Sequence, residues 1–268
     1  MNKIKWNTIT ISGEETKRTI LCSFLESFII GSQWNTNSTK VFFKDNQLNN
    51  IKEIISKQNM SSQCKWGSIK ENNWMDSCRD FFKPIVINNK VNIIPNWTNE
   101  DNRYINIKIN PALAFGTGHH ETTYMMIDSM LSMDIKDKTI IDIGTGSGIL
   151  SILAYKLKAQ LVYAIDNDEL VYKNFYENVE LNNIENSLDV EIRDCLTLVN
   201  FNYDVILANI HKTVLIDLLN LIKEQGKYII LSGILHRDEK EIETTLASYN
   251  RRIISKLRKK EWSCIIAK

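Results

Sequence analysis

Asp142-Ile-Gly144-Thr-Gly146-Ser-Gly148-Ile-Leu150 is the stretch that decides the fold of this 268-residue chain. It follows an apolar run, Thr139–Ile143, and opens a stretch of helical spacing, Ser147–Lys158. A glycine turn between a strand and a helix lets backbone approach a ligand at the carboxyl end of the strand, as in doubly wound α/β folds. Glycine is otherwise scarce. Average usage of about 7% would place roughly 19 in a chain this long. There are 10, and five of them (Gly116, Gly118, Gly144, Gly146, Gly148) fall within 33 residues. Against a composition of 39 Ile, 29 Asn and only 8 Ala, glycines kept in one region mark positions where only glycine fits.

Working outward, strands are predicted over Thr139–Ile143, Leu161–Asp166, Leu188–Arg193, Asp204–Ile210 and Tyr228–Ser232. Helices are predicted over Ser147–Lys158, Asp168–Asn182, Lys212–Lys223 and Asp238–Ser248. That alternation predicts a parallel sheet covered on both faces. Arg251–Lys260 and Trp262–Ala267 read as two consecutive strands, a hairpin that a dinucleotide fold does not need. Before residue 60 the pattern is a small α+β unit: strands at Ile4–Ile11 and Lys40–Lys44, helices at Glu14–Ile30 and Leu48–Lys57. Gln63–Lys70 reads as a further strand, Asn72–Phe82 as a helix, and Pro84–Pro95 as a strand pair turning at Asn88-Asn89. The domain expectation is 1–60, a linker region over 61–103 with its boundary in the polar stretch Asn96–Arg103, and 104–268.

The loop carries chemistry as well as shape. Dinucleotide binding prefers G-x-G-x-x-G, but position 149 is Ile, and the second register puts Ser151 at the third glycine. Asp142 stands two residues before the first glycine. A carboxylate there is awkward for a pyrophosphate and suits a cationic ligand such as S-adenosylmethionine, which has a sulfonium, an ammonium and no phosphate. Asp166, 22 residues after Gly144, offers two acceptor oxygens to paired ribose hydroxyls. Asp194 closes the third strand and can accept from an adenine amino group or cap a turn. Asp168 reads as the cap of the next helix.

The ordered set resembles a known family. Asp142–Leu150 is similar to the first motif of class I S-adenosylmethionine-dependent methyltransferases. Pro111-Ala-Leu-Ala-Phe-Gly-Thr-Gly-His-His-Glu-Thr-Thr123 resembles the PrmA-type enzymes, which methylate amino groups of a large-subunit ribosomal protein. Phe81-Phe-Lys-Pro84, Ile94-Pro-Asn-Trp97, Leu207-Ala-Asn-Ile210, Leu231-Ser-Gly-Ile-Leu235 and Glu261-Trp262 agree in order. The resemblance implies a Rossmann-like methyltransferase domain, with a mostly parallel seven-stranded sheet and a C-terminal antiparallel hairpin. It also implies a small N-terminal α+β domain that recognises the ribosomal protein. It implies cofactor contacts at Thr123, Gly144, Asp166 and Asn209, to which the loop chemistry adds Asp142, Gly146 and Asp194.

For the reaction, Asn209 is placed to orient the acceptor amine, with His119 and His120 as proton acceptors or, alternatively, structural rings. Phe115-Gly-Thr-Gly118 reads as a flap over the methionine end of the cofactor, or as a plain turn. No Cys or carboxylate stands at metal-ligand spacing from the adjacent His, so no metal is expected. Trp66, Trp74 and Trp97 read as packing anchors. Arg251, Arg252, Lys256, Arg258, Lys259 and Lys260 could touch ribosomal RNA or form a solvated face. With 33 Lys+Arg against 32 Asp+Glu, bulk-charge nucleic-acid binding is excluded. Five Cys without CxxC pairing and an N-terminus without an apolar signal core point to a cytoplasmic protein. The competing readings are a methyltransferase for another protein, peptide or small molecule, an NAD-dependent oxidoreductase, and a non-catalytic ribosome-binding module.

Overall fold

The computed structural model of the chain describes residues 5–25, 28, 29, 31–70, 83–110, 120–185 and 187–268. Two compact units emerge, Met1–Phe81 and Phe82–Lys268. The helix predicted over Asn72–Phe82 lies outside the described residues.

The first unit runs β1 (Lys5–Ser12), α1 (Glu15–Leu25), β2 (Gly31–Asn35), β3 (Ser38–Lys44), α2 (Leu48–Lys57) and β4 (Cys64–Lys70). Its antiparallel sheet has the order β2-β3-β1-β4. Alternation in β1 and β3 buries Ile9, Ile11, Val41 and Phe43 against Leu21 and Leu25 of α1 and Ile51 and Ile55 of α2. Trp66 packs edge-on against Phe43, with ring centroids 6.1 Å apart, as an anchor should. The helix expected to reach Ile30 ends at Leu25. Strand β2 has no apolar alternation; its turn into β3 is held instead by Arg18. That guanidinium, 2% exposed, donates to Asn35 O, Thr36 O, Thr39 Oγ1 and Gly13 O. Strand β4, past residue 60, pairs with β1.

The second unit opens with the hairpin β5 (Ile85–Ile87) and β6 (Val91–Pro95). Asn88 and Asn89 have φ of 50° and 51°, the left-handed pair at the centre of a type I′ turn that Lys90 N closes by donating to Ile87 O at 3.0 Å. A strand the sequence reading missed, β7 (Ile105–Ile109), pairs in parallel with β6. The polar stretch Asn96–Arg103 is therefore the crossover between two paired strands.

The remaining elements are α3 (Glu121–Leu131), β8 (Thr139–Ile143), α4 (Ile149–Lys156), β9 (Leu161–Asp166), α5 (Glu169–Leu181), β10 (Val190–Ile192), β11 (Val205–Asn209), α6 (Lys212–Ile222), β12 (Tyr228–Leu235), α7 (Glu239–Ser248), β13 (Ile253–Lys259) and β14 (Trp262–Ala267). They build a seven-stranded sheet of order β10-β9-β8-β11-β12-β14-β13. Only β14 runs antiparallel to its neighbours. This is the Rossmann-like α/β architecture with a C-terminal antiparallel hairpin. Both faces are buried, with period two along each strand. Ile140, Leu207, Ile230 and Ile266 face α3, α4 and α5. Ile141, Ile206, Leu231 and Ile265 face α6 and α7.

Candidate cofactor and acceptor site

The glycine loop links β8 to α4 at the centre of the sheet, where chain order reverses between β9 and β11. In an open α/β sheet that reversal leaves a crevice at the carboxyl ends of the strands. Gly144 has φ of +71°, and a Cβ on it would lie 2.3 Å from Ile210 Cγ2. Only glycine allows this backbone to lie against the end of β11. Gly144 N and Thr145 N both donate to Ile165 O, at 2.9 and 3.0 Å, so the loop is tied to β9.

Asp166, at the end of β9, accepts from Gly146 N at 2.9 Å through Oδ2 and from Asp168 N at 3.0 Å through Oδ1. One bond to each oxygen fixes the carboxylate and leaves lone pairs for a ligand. Asp168 caps α5 through Leu170 N, as predicted. A cleft of about 270 Å³ lies beside Gly144 and Asp166, walled by Ile165, Leu196, Ile210 and Val214. Asp194 lines the same cleft and also caps the turn Cys195–Thr197, accepting from Leu196 N at 2.9 Å. The cap that the sequence allowed for Asp194 is present, on the wall of the cleft.

Asp142 sits differently from the sequence expectation of a charge facing a cation. Its side chain is 1% exposed, beneath the loop. Oδ2 accepts from Thr145 Oγ1 at 2.7 Å and Ser151 Oγ at 2.6 Å. Oδ1 has no hydrogen-bond partner among the described residues. Burial pushes this carboxyl up to about 6, against the lowering pull of the two hydroxyls. Thr145 was not singled out in the sequence, and Ser151 was noted only as standing at the third-glycine position; the available signal was polar residues recurring in an otherwise apolar stretch.

At the other side of the site, Asn209 ends β11 and its Nδ2 donates to Thr123 Oγ1 at 3.4 Å. Thr123, 1% exposed, lies in the first turn of α3. The start of that helix is set by His120, whose Nδ1 accepts from Thr122 N at 3.4 Å and meets Thr122 Oγ1 at 2.8 Å. The His120 ring packs edge-on to Trp262, with centroids 5.1 Å apart. Glu121 pairs with Lys260, and Lys259 lies 3.6 Å from the Tyr124 ring centroid. His120 thus occupies the capping position of α3. His119 and Phe115, with the rest of the flap, lie outside the described residues.

The C-terminal basic cluster is engaged internally. Arg251 donates to the carbonyls of Lys223, Gln225 and Gly226. Lys256 reaches Glu239 and Glu243, and Arg258 reaches Glu239. With Lys259 and Lys260 already placed, five of the six cations have partners within the fold.

These residues fit S-adenosylmethionine. The cleft offers an apolar slot for a base, a fixed carboxylate for ribose hydroxyls, and a glycine backbone with no side chain in the way. Its volume stands near the lower end of ligand pockets, about 300–1,000 Å³, the size of a nucleoside subsite. Among the described residues no helix is long and apolar enough to cross a membrane.

Comparison with known proteins agrees with this geometry. A ribosomal protein L11 methyltransferase of Prochlorococcus marinus strain MIT 9515 is 35% identical over 231 residues, covering 81% of this chain and 77% of the relative. That of strain MIT 9312 is 33% identical over 249 residues, covering 88% and 80%. The crystal structure of a ribosomal protein L11 methylase from Lactobacillus delbrueckii subsp. bulgaricus is similar with a TM-score of 0.64 and 31% identity. It covers 70% of this chain and 98% of its own. All three are methyltransferases, which gives the oxidoreductase reading no support. The model of the family described as ribosomal protein L11 methyltransferase (PrmA) matches residues 5–268, and the chain belongs to that family.

Proposed function

We propose that this chain transfers methyl groups from S-adenosylmethionine to amino groups of ribosomal protein L11. The observation that carries the reading is the junction of Gly144, Asp166 and the Asn209–Thr123 pair at the carboxyl ends of β8, β9 and β11. When bound, S-adenosylmethionine supplies an electrophilic methyl group on its sulfonium. Asp166 holds the ribose hydroxyls, Ile165, Leu196 and Val214 flank the base, and Asp194 accepts from its amino group. The Gly144 and Gly146 backbone borders the methionine end.

The acceptor must be a neutral amine, because an ammonium has no lone pair. A free lysine, with pKa about 10.4, is protonated at neutral pH. Asn209 bears on this step. Its Nδ2 points to Thr123, which leaves Oδ1 as an acceptor for an amine N–H. Orientation of this kind is where most of the acceleration of a displacement can arise. Asp142 serves from beneath, holding Thr145 and Ser151 so that the loop keeps its shape.

The Met1–Phe81 unit is assigned to recognition of the ribosomal protein, and the work of the chain to the cytoplasm. The internal pairing of the C-terminal cations supports a protein partner over an RNA contact at that cluster. The test is incubation of the purified chain with methyl-labelled S-adenosylmethionine and ribosomes from a strain lacking its own L11 methylase. Label on L11 supports the proposal; label on a different protein transfers it to the rival substrate class.

A further inference from the structure

Helix α5 and its C-cap turn a row of asparagines inward: Asn174 and Asn178 in the helix and Asn182 at the cap, four residues apart and 0%, 0% and 7% exposed. Residues at this spacing share one helix face. The face lies along β7, which pairs with a strand on one side only. Where a neighbouring strand would otherwise bond, side-chain amides do. Asn182 accepts from Lys108 N at 3.0 Å and donates to Lys108 O at 2.7 Å. Asn178 accepts from Asn110 N at 2.7 Å, and Asn174 donates to Asn110 O at 3.4 Å.

Asn178 does something its neighbours do not. Its Nδ2 donates to Ser147 O at 2.7 Å, in the glycine loop, while its Oδ1 holds Asn110 at the exit of β7. The sheet side of the loop is fastened at Ile165 O and Asp166 Oδ2. Asn178 supplies a fastening from the helix side. We propose that Asn178 is a positioning residue for cofactor binding, setting the glycine loop in register with the exit of β7 through one buried amide. The inference rests on the reading of that loop as the cofactor site.

The chemistry is specific to an amide of this length. It needs an acceptor and a donor, both satisfied where no water can replace them. Serine falls short of both partners and aspartate has no donor. Asn182, the C-cap of α5, is the natural control: its amide binds β7 and the Asn178 carbonyl, at 2.7 Å, but does not touch the loop.

The experiment is calorimetry of S-adenosylhomocysteine with the full chain and with Asn178→Ser and Asn182→Ser. Asn178→Ser weakens binding about tenfold, the effect of about 1.4 kcal/mol, and Asn182→Ser changes it less than about twofold, within one weak hydrogen bond. Equal affinities in both variants, or an equal loss in both, overturn the inference. A wild-type chain that does not bind S-adenosylhomocysteine overturns the cofactor reading itself. Should Asn178→Ser fail to fold, amide NMR of the wild type decides. The Asn178 side-chain NH₂ signal shifts on ligand addition and that of Asn182 does not. A still Asn178 signal refutes the role.

Discussion

The Asn209 amide meets the Thr123 hydroxyl at 3.4 Å, joining the end of β11 to the first turn of α3 across 86 residues of sequence. The contact fixes which end of the amide is free. Asn209→Ala is expected to lower kcat by about a hundredfold, the scale of a misplaced reactant, while S-adenosylhomocysteine affinity changes only a few-fold. Thr123→Val is expected to lower kcat less, since Asn209 remains but loses its orientation. Steady-state kinetics beside calorimetry separates the two effects; a loss confined to cofactor affinity would assign Asn209 to binding alone.

Asp166 answers to two backbone amides and to the ligand. Asp166→Ala is expected to weaken S-adenosylhomocysteine by about 10- to 100-fold, the worth of hydrogen bonds to a charged group at about 1.5–3 kcal/mol. Calorimetry checks this, and unchanged affinity places the ribose elsewhere.

Asp142 gives the protein a pH signature of definite sign. Its carboxyl rises from the ordinary 3.8 to about 6 on folding, so between those values the folded state holds more protons than the unfolded. Its contribution to stability therefore falls as pH rises from about 4 to 7, by about 3 kcal/mol in order of magnitude. In Asp142→Asn that component is absent. Urea unfolding of both proteins at pH 4 and pH 7 should show the wild type losing ground to the variant; parallel pH profiles would contradict the burial argument.

Glu239 behaves oppositely. It is 4% exposed, and Arg258, with Ser263 and Lys256, holds its carboxyl down to about 2. Its stabilisation is full above the unfolded value of 4.5 and is lost as pH falls toward 2. Glu239→Gln, which leaves Lys256 and Arg258 without their shared carboxylate, is expected to lower stability at pH 7 by about 1 kcal/mol and much less near pH 2. Thermal unfolding at the two pH values tests this.

The sequence made the sheet and much of the site legible, and physical reasons mark where it did not. Strand β8 carries Ile140, Ile141 and Ile143, strand β9 is apolar from Leu161 to Ile165, and they end at Asp142-Ile143 and Asp166, so their limits were readable. Gly144, Asp166, Thr123 and Asn209 were readable because a motif tied them together. Strand β2 was hidden because its stability comes from Arg18 rather than from alternation. Strand β7 was hidden because asparagines of α5 complete its edge. The capping role of His120 was not readable in sequence, because it depends on Thr122 and Trp262 standing beside the ring. Asp142 looked exposed because the hydroxyls that bury it, Thr145 and Ser151, lie after it in an apolar stretch.

The central claim is methylation of one ribosomal protein at amino groups. Its most direct test is intact-mass and peptide spectrometry of purified, unmethylated L11 after incubation with the chain and S-adenosylmethionine. The account predicts added methyl groups on lysine or N-terminal amines of L11, formed about a hundredfold more slowly by Asn209→Ala. Unmodified L11 in the presence of a chain that binds S-adenosylhomocysteine would contradict it.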